Sequence, residues 1–329
     1  MSSSSVEPAP NYIDPEFAAI KDECDAQNVK LAALSFEDFV ATWRVMPPAL
    51  PGECPTDIEI TDRTATVSDG SGIEIRIYKS KDVKPDAWLF LTCHGGGWTV
   101  GSHEVEGGNN RYVASKTGCV VVSPDYRMAP EYPFPYPIND CFDTLKWCKA
   151  NAASLGINPE KIIIGGSSAG GNLTASVAMR ARDEGVSGIR GQVLNIPNIC
   201  HPKLFPKDKG YKYESTKEFE VCSMLNTKEM TWYWDKYLPN LDNSVRACPI
   251  LAESFKDLPP ALVQVAGMDP LRDEGFAYAK ALKDDGVPVT EYFFAGLPHC
   301  FYFFPNLTKT AEYYANIVSW VKEVQNSIA

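Results

Sequence analysis

Apolar positions divide the chain into segments of two kinds. Ile58–Val67 and Ile73–Tyr78 alternate apolar and polar residues on either side of Asp69-Gly70-Ser71-Gly72, the period-two pattern of half-buried strands joined by a tight turn. The spacing predicts a hairpin at a sheet edge. Trp88–Cys93, Cys119–Ser123, Ile162–Ile164, Gly191–Ile196, Ala261–Ala266 and Val289–Phe294 are short continuous apolar runs, which suit strands covered on both faces. Helix-compatible stretches fall between and after them at Tyr112–Lys116, Cys141–Asn151, Leu173–Arg182, Glu274–Lys283 and Thr308–Val324. Strand–helix alternation of this kind predicts an α/β fold with a mostly parallel, eight-stranded sheet flanked by helices.

Two regions depart from that rhythm. Residues 1 to about 13 are polar and proline-bearing, and read as a flexible tail. The stretch from 14 to 50 places Phe17, Ile20, Leu31, Leu34, Phe36, Phe39 and Trp43 as amphipathic helices closed by Pro47, Pro48 and Pro51. Residues 198–250 bring charges and aromatics, with Asn226 and Glu229 spaced as a capping box. Met230, Tyr233, Trp234 and Tyr237 then recur at helical spacing, and their shared apolar face must pack on something. An inserted cap supplies that surface, with packing favoured over substrate contact as the role of the stripe.

Composition narrows the partners. The length of 329 residues suits one α/β domain with insertions, and 44% hydrophobic with 22% charged residues excludes wholesale disorder. A net charge of -11 argues against nucleic acid, an anionic membrane surface or a polyanionic substrate. The start lacks a basic, then apolar, leader pattern and no apolar run approaches membrane-spanning length, so a cytoplasmic protein without membrane insertion is expected. The ten cysteines are scattered without a close C-x-x-C pair, which points away from zinc ribbons and redox motifs and towards buried thiols.

Candidate chemistry centres on Lys161-Ile-Ile-Ile-Gly-Gly-Ser-Ser-Ala-Gly-Gly-Asn172, where a β-branched run meets small residues and then a helix. Gly166-Ser167-Ser168-Ala169-Gly170 fits Gly-x-Ser-x-Gly, which puts Ser168 at a strand-to-helix turn as a nucleophile. A hydroxyl needs a base, and there are four histidines: His94, His103, His201 and His299. His299 follows the last predicted strand, where α/β sites form; His201 lies in the presumed cap and His103 trails a glycine-rich loop. Asp269 ends the preceding strand and gives the order Ser168, Asp269, His299, with Asp273 and Glu274 as competitors whose helical position suggests capping or surface roles. His94-Gly95-Gly96-Gly97-Trp98 leaves a central strand and offers N–H groups for an oxyanion, completed by Ala169. His94 is read as an organiser of that loop.

These motifs resemble the hormone-sensitive-lipase-like branch of the α/β-hydrolase carboxylesterases from about residue 85 to 305. Tyr126-Arg-Met-Ala-Pro-Glu131 with Phe134-Pro135 is similar to the branch's structural Tyr-Arg-Leu-Ala-Pro-Glu segment, and Asp269-Pro-Leu-Arg-Asp-Glu274 to its acid motif. The resemblance implies a single α/β-hydrolase domain over 1–329, with a helical cap built from about 14–50 and 198–250. It also implies a triad of Ser168, Asp269 and His299, and an oxyanion hole of Gly96, Gly97 and Ala169. Two positions depart from the pattern: Ser167 stands where the branch usually has Asp, and Cys300 where Gly commonly follows the histidine. The expected activity is a serine carboxylesterase acting on short- to medium-chain esters, needing no cofactor, with a small-molecule ester as partner and homodimerisation left open. An amidase, lactonase or acyltransferase acting on a specialised metabolite uses the same groups. A ligand receptor on a retired hydrolase is the reading of another class, and the presence of His299 weighs against it.

Overall fold

The computed structural model describes residues 12–44, 50 and 52–327. Most of the expected N-terminal tail, together with Pro47, Pro48 and Pro51, lies outside the described residues. Eight strands form one sheet, as the sequence pattern predicts: β1 (Ile58–Thr66), β2 (Gly72–Ser80), β3 (Ala87–Cys93), β4 (Val120–Pro124), β5 (Ile157–Ser167), β6 (Ile189–Asn195), β7 (Ala261–Met268) and β8 (Val289–Pro298). Their order is β1-β2-β4-β3-β5-β6-β7-β8. The β1–β2 hairpin sits at one edge, β2 pairs antiparallel with β4, and all later pairs are parallel.

All of β3 and β4 is buried, with no alternation, because helices cover both faces. The described helices are α1 (Pro15–Ala18), α2 (Lys21–Ala32), α3 (Phe36–Arg44), α4 (Gly107–Thr117), α5 (Tyr136–Ala150), α6 (Ala152–Leu155), α7 (Ala169–Asp183), α8 (Ser215–Glu218), α9 (Thr227–Tyr237), α10 (Arg272–Asp284) and α11 (Thr308–Ser327). One core contains Leu89, Leu91, Ile162, Ile164 and Leu173; the opposite face packs Phe90, Ile163 and Val193 under Ile317 and Trp320 of α11. Each such side chain contributes about 1.5–3 kcal/mol by leaving water.

Two helices begin earlier than the sequence pattern suggests. α4 starts at Gly107, although Gly107, Gly108, Asn109 and Asn110 are poor helix formers; all four are buried, and tertiary packing overrides propensity. α5 starts at Tyr136 because Pro137 falls in its first turn, where a missing N–H costs nothing.

Strand register brings the sheet's carboxyl ends together. Cys93 lies opposite Gly166, so the glycine loop after β3 emerges beside the turn after β5. Met268 lies opposite Pro298, so the next residues, Asp269 and His299, leave adjacent strands side by side. Above these ends lie α2, α3 and α9, whose side chains share one cavity with the strand-end loops. No helix among the described residues is long and apolar enough to cross a membrane.

Candidate active site

Ser168 sits between the end of β5 and the first residue of α7 with φ 55 and ψ -119. Positive φ is costly for a residue with a Cβ, of order 1–3 kcal/mol, and persists only where the surroundings hold it. Here the Ser168 N–H donates to the Asn195 carbonyl at 2.9 Å, and the Ser168 carbonyl accepts from Asn172 and Asn198 at 3.2 and 3.1 Å. The flanking glycines are set by space. A Cβ on Gly170 would lie 2.0 Å from the Cys93 carbonyl oxygen, and one on Gly166 2.4 Å from that of Gly170. The turn can therefore form only with bare backbone on both sides of the serine.

Ser168 Oγ is 2.9 Å from His299 Nε2, and His299 Nδ1 is 2.6 Å from Asp269 Oδ2. With the carboxylate taking the Nδ1–H of a neutral imidazole, Nε2 is left to accept from the serine hydroxyl. The other Asp269 oxygen accepts the Leu271 N–H at 2.9 Å, which fixes the carboxylate plane. All three residues are buried. Burial disfavours the imidazolium, but the Asp269 charge and hydrogen bond together with the neighbouring Cys300 outweigh it, so His299 holds its proton to higher pH than an ordinary histidine.

The other three histidines lie elsewhere. His94 is buried and pushed below its ordinary value by desolvation. Its Nδ1–H donates to the Gly95 carbonyl at 2.7 Å, and its ring stacks on Tyr126 with centroids 4.2 Å apart. The Tyr126 hydroxyl in turn donates to the His94 carbonyl at 2.9 Å. His103 lies 3.2 Å from Glu74, and His201 Nδ1 accepts the Lys203 N–H at 3.1 Å.

Gly96 and Gly97 adopt φ of +117 and +58, and both line the cavity beside Ser168. Their N–H groups have no backbone acceptor among the described residues, and the Ala169 N–H, at the first position of α7, has none within its helix. The arrangement can thus hold an oxygen anion near Ser168. A cavity of about 700 Å³ rises from this point, within the usual size of small-molecule sites. Its walls include Phe39 and Trp43 of α3, Met230 and Tyr233 of α9, and Phe303 beyond β8.

The competing acids have another place than the one expected. Asp273 and Glu274 are buried, not at the surface. Asp273 accepts the Glu214 and Ser215 N–H groups at 2.6 and 2.9 Å, and Glu274 accepts the Ile199 N–H at 2.6 Å. Both anchor the 198–250 insertion to α10, a long-range role with no local sequence signal. The aromatic stripe of α9 also divides. Trp234 and Tyr237 pack on Trp98, with centroids 4.4 and 4.2 Å away, whereas Tyr233 and Met230 face the cavity. Glu106, buried behind the glycine loop, was not singled out by any motif.

Residues 90–303 match the α/β hydrolase fold family. The chain is 35% identical to an arylesterase of Saccharolobus solfataricus, over 70% of this chain and 72% of that protein. It is 29% identical to versiconal hemiacetal acetate esterase of Dothistroma septosporum, over 87% of this chain and 88% of that one. A solved esterase of Pyrobaculum calidifontis superimposes with a TM-score of 0.79 at 33% identity, over 95% of this chain and 99% of its own. The chain belongs to the α/β-hydrolase family, in its carboxylesterase branch.

Proposed function

We propose that the protein hydrolyses small carboxylic esters of short to medium acyl chain through an acyl-enzyme on Ser168. The observation that carries this reading is the hydrogen-bonded chain from Ser168 Oγ through His299 to Asp269 at the floor of an apolar cavity. Ser168 Oγ attacks the carbonyl carbon while His299 Nε2 takes its proton, and Asp269 stabilises the imidazolium formed. The N–H groups of Gly96, Gly97 and Ala169 hold the oxyanion, each such donor being worth about 2.7–4 kcal/mol. Collapse expels the alcohol, which receives the proton from His299, and a water deprotonated by the same nitrogen then releases the acid.

Helices α2, α3 and α9 act as the cap that sets which esters enter. The names of the arylesterase and of the hemiacetal acetate esterase support ester carbonyls as the reacting group and aromatic substituents as cargo, and the aromatic cavity walls suit both. No protein-bound cofactor enters any step. A cytoplasmic location belongs to this reading on sequence grounds.

The test is turnover of p-nitrophenyl esters, lactones and aryl amides by the purified chain and by Ser168→Ala. Ester turnover that falls by about 10⁴-fold or more in the variant, with a serine-directed organophosphate mapping to Ser168, is expected. Retained turnover, or labelling at another serine, would refute the mechanism.

A further inference from the structure

Behind the nucleophile lies a buried polar cluster that the reaction above does not use. Ser167, the last residue of β5, is buried there with its Oγ 3.3 Å from Tyr313 Oη. Tyr302 and Tyr313 stack with centroids 4.7 Å apart and, with Tyr314, flank the cluster from the α11 side. Glu106, at the N-terminus of α4, is 2% exposed and makes no ion pair among the described residues; its Oε1 has no hydrogen-bond partner. Two donors face this carboxyl, the Ser167 hydroxyl and the Gly95 backbone N–H.

Those two donors belong to the two halves of the reaction site. Ser167 precedes Ser168, and Gly95 opens the loop that carries Gly96 and Gly97. The halves touch directly, since a Cβ on Gly95 would lie 3.0 Å from the Ser167 carbonyl oxygen and 3.7 Å from Ser168 Cβ. For stability alone, a neutral side chain would serve better than a carboxyl buried without a cation. What a carboxylate supplies is a charged, acceptor-only group, able to hold two donors at once.

We propose that Glu106 is a positioning residue: its carboxylate holds the Gly95 N–H and the Ser167 hydroxyl together, and through them fixes the oxyanion loop relative to Ser168. The inference rests on the reading of Ser168 as nucleophile. It also accounts for a small residue at 167, since an aspartate there would set a second carboxyl against Glu106. The groups around Glu106 are hydroxyls and an amide: Ser167 of β5, Tyr302 after β8, Tyr313 and Tyr314 of α11, and Gly95. Burial raises the carboxyl to about 7, against the pull of Ser167 and Gly95. Protonation removes the charge that both donors are drawn to and weakens both hydrogen bonds, so kcat rises as pH climbs through this ionisation.

Steady-state kinetics on p-nitrophenyl butyrate test this with the full chain. Glu106→Gln is expected to lower kcat by about 10- to 100-fold, the scale on which small displacements of reacting groups act, with KM within about twofold. Its kcat–pH profile should lack the ionisation near 7 expected of the wild type. Ser167→Asp should lose about 100-fold through like-charge repulsion, and Ser167→Asp/Glu106→Gln should regain at least about tenfold of that loss. An unaltered kcat–pH profile in Glu106→Gln, or a Ser167→Asp defect the second change does not relieve, overturns the proposal. Should Glu106→Gln not fold, the double variant decides alone. Full turnover in Ser168→Ala would overturn the proposed function and this proposal with it, whereas loss there beside an unaffected Glu106→Gln overturns this proposal only.

Discussion

Gly97 offers the sharpest test of how the cap bears on the oxyanion loop. A Cβ built at Gly97 lies 2.2 Å from Tyr233 Cδ1 and 2.4 Å from Cγ. Ordinary carbon–carbon contact needs about 3.5 Å, so Gly97→Ala requires a movement of more than about 1 Å. The ring cannot carry all of it, because its neighbours Trp234 and Tyr237 on α9 are packed against Trp98. The loop must yield, and an N–H displaced by about 1 Å from its oxyanion costs about 10²- to 10³-fold in kcat. Residual backbone strain is smaller: at φ +58 an alanine costs about 1–2 kcal/mol.

These magnitudes separate clash from strain. Tyr233→Ala removes the ring, so Gly97→Ala/Tyr233→Ala should return to within about 5- to 30-fold of Tyr233→Ala alone, the remaining loss being the strain. Gly96→Ala is the control. Its Cβ meets the Val100 carbonyl oxygen at 2.1 Å, a backbone atom at φ +117 that no side-chain truncation removes. Initial rates on p-nitrophenyl butyrate, with near-ultraviolet circular dichroism to check folding, make the comparison. If Gly97→Ala keeps kcat within about threefold of wild type, or if Tyr233→Ala fails to rescue it while it remains folded, the steric argument is wrong.

Asp269→Asn should lower kcat by about 10⁴-fold by presenting the wrong imidazole tautomer to Ser168. Because Asp269 favours the imidazolium, His299 is raised, and kcat/KM of the wild type should fall on the acid side with a midpoint above the ordinary histidine value of about 6.5. In Asp269→Asn that midpoint should move to lower pH, and a limb that stays unmoved in both Asp269→Asn and Asp269→Asn/Glu106→Gln would mean another group is the base. Across acetate to palmitate esters of one alcohol, each methylene buried in the cavity should add about 0.8 kcal/mol, roughly fourfold in kcat/KM, until the cavity ends and the trend reverses; a steady climb to palmitate refutes the short- to medium-chain preference. Asn226→Ala removes a capping box in which Asn226 Oδ1 accepts the Glu229 N–H at 3.0 Å, and should cost about 1 kcal/mol, about 2 °C in melting temperature by calorimetry.

The proposed reacting groups are legible in the sequence because backbone geometry dictates their neighbours. Ser168 can adopt positive φ at this turn only if Gly166 and Gly170 lack side chains, and that demand is written locally as Gly-x-Ser-x-Gly. Asp269 and His299 were found by a second local signal, each following an apolar strand, and the Met268–Pro298 register explains why strand ends were the right place to look. Asp273 and Glu274 were misplaced because helix position alone says nothing of burial; their partners, Ile199 and Ser215, are about sixty to seventy-five residues away. Helical spacing likewise marks Tyr233 as apolar-face without saying that its ring rests on Gly97. Glu106 carries no motif at all, since its meaning depends on Ser167 and Gly95 meeting it across three elements.

The same division bears on how function is distributed. At Gly166, Gly170 and Gly101 an added Cβ would meet backbone carbonyl oxygens at 2.0–2.6 Å, so substitutions there should move the proposed reacting atoms and appear in kcat. Cavity walls from α2, α3 and α9 are side-chain surfaces that make no hydrogen bond to Asp269 or Ser168 among the described residues, so changes there should alter which ester binds and appear first in KM. Tyr233 belongs to both sets, because its ring lines the cavity and lies on Gly97. A substrate that presses on that ring therefore presses on the oxyanion loop, and the identity of the bound ester and the rate of its hydrolysis are coupled through one side chain.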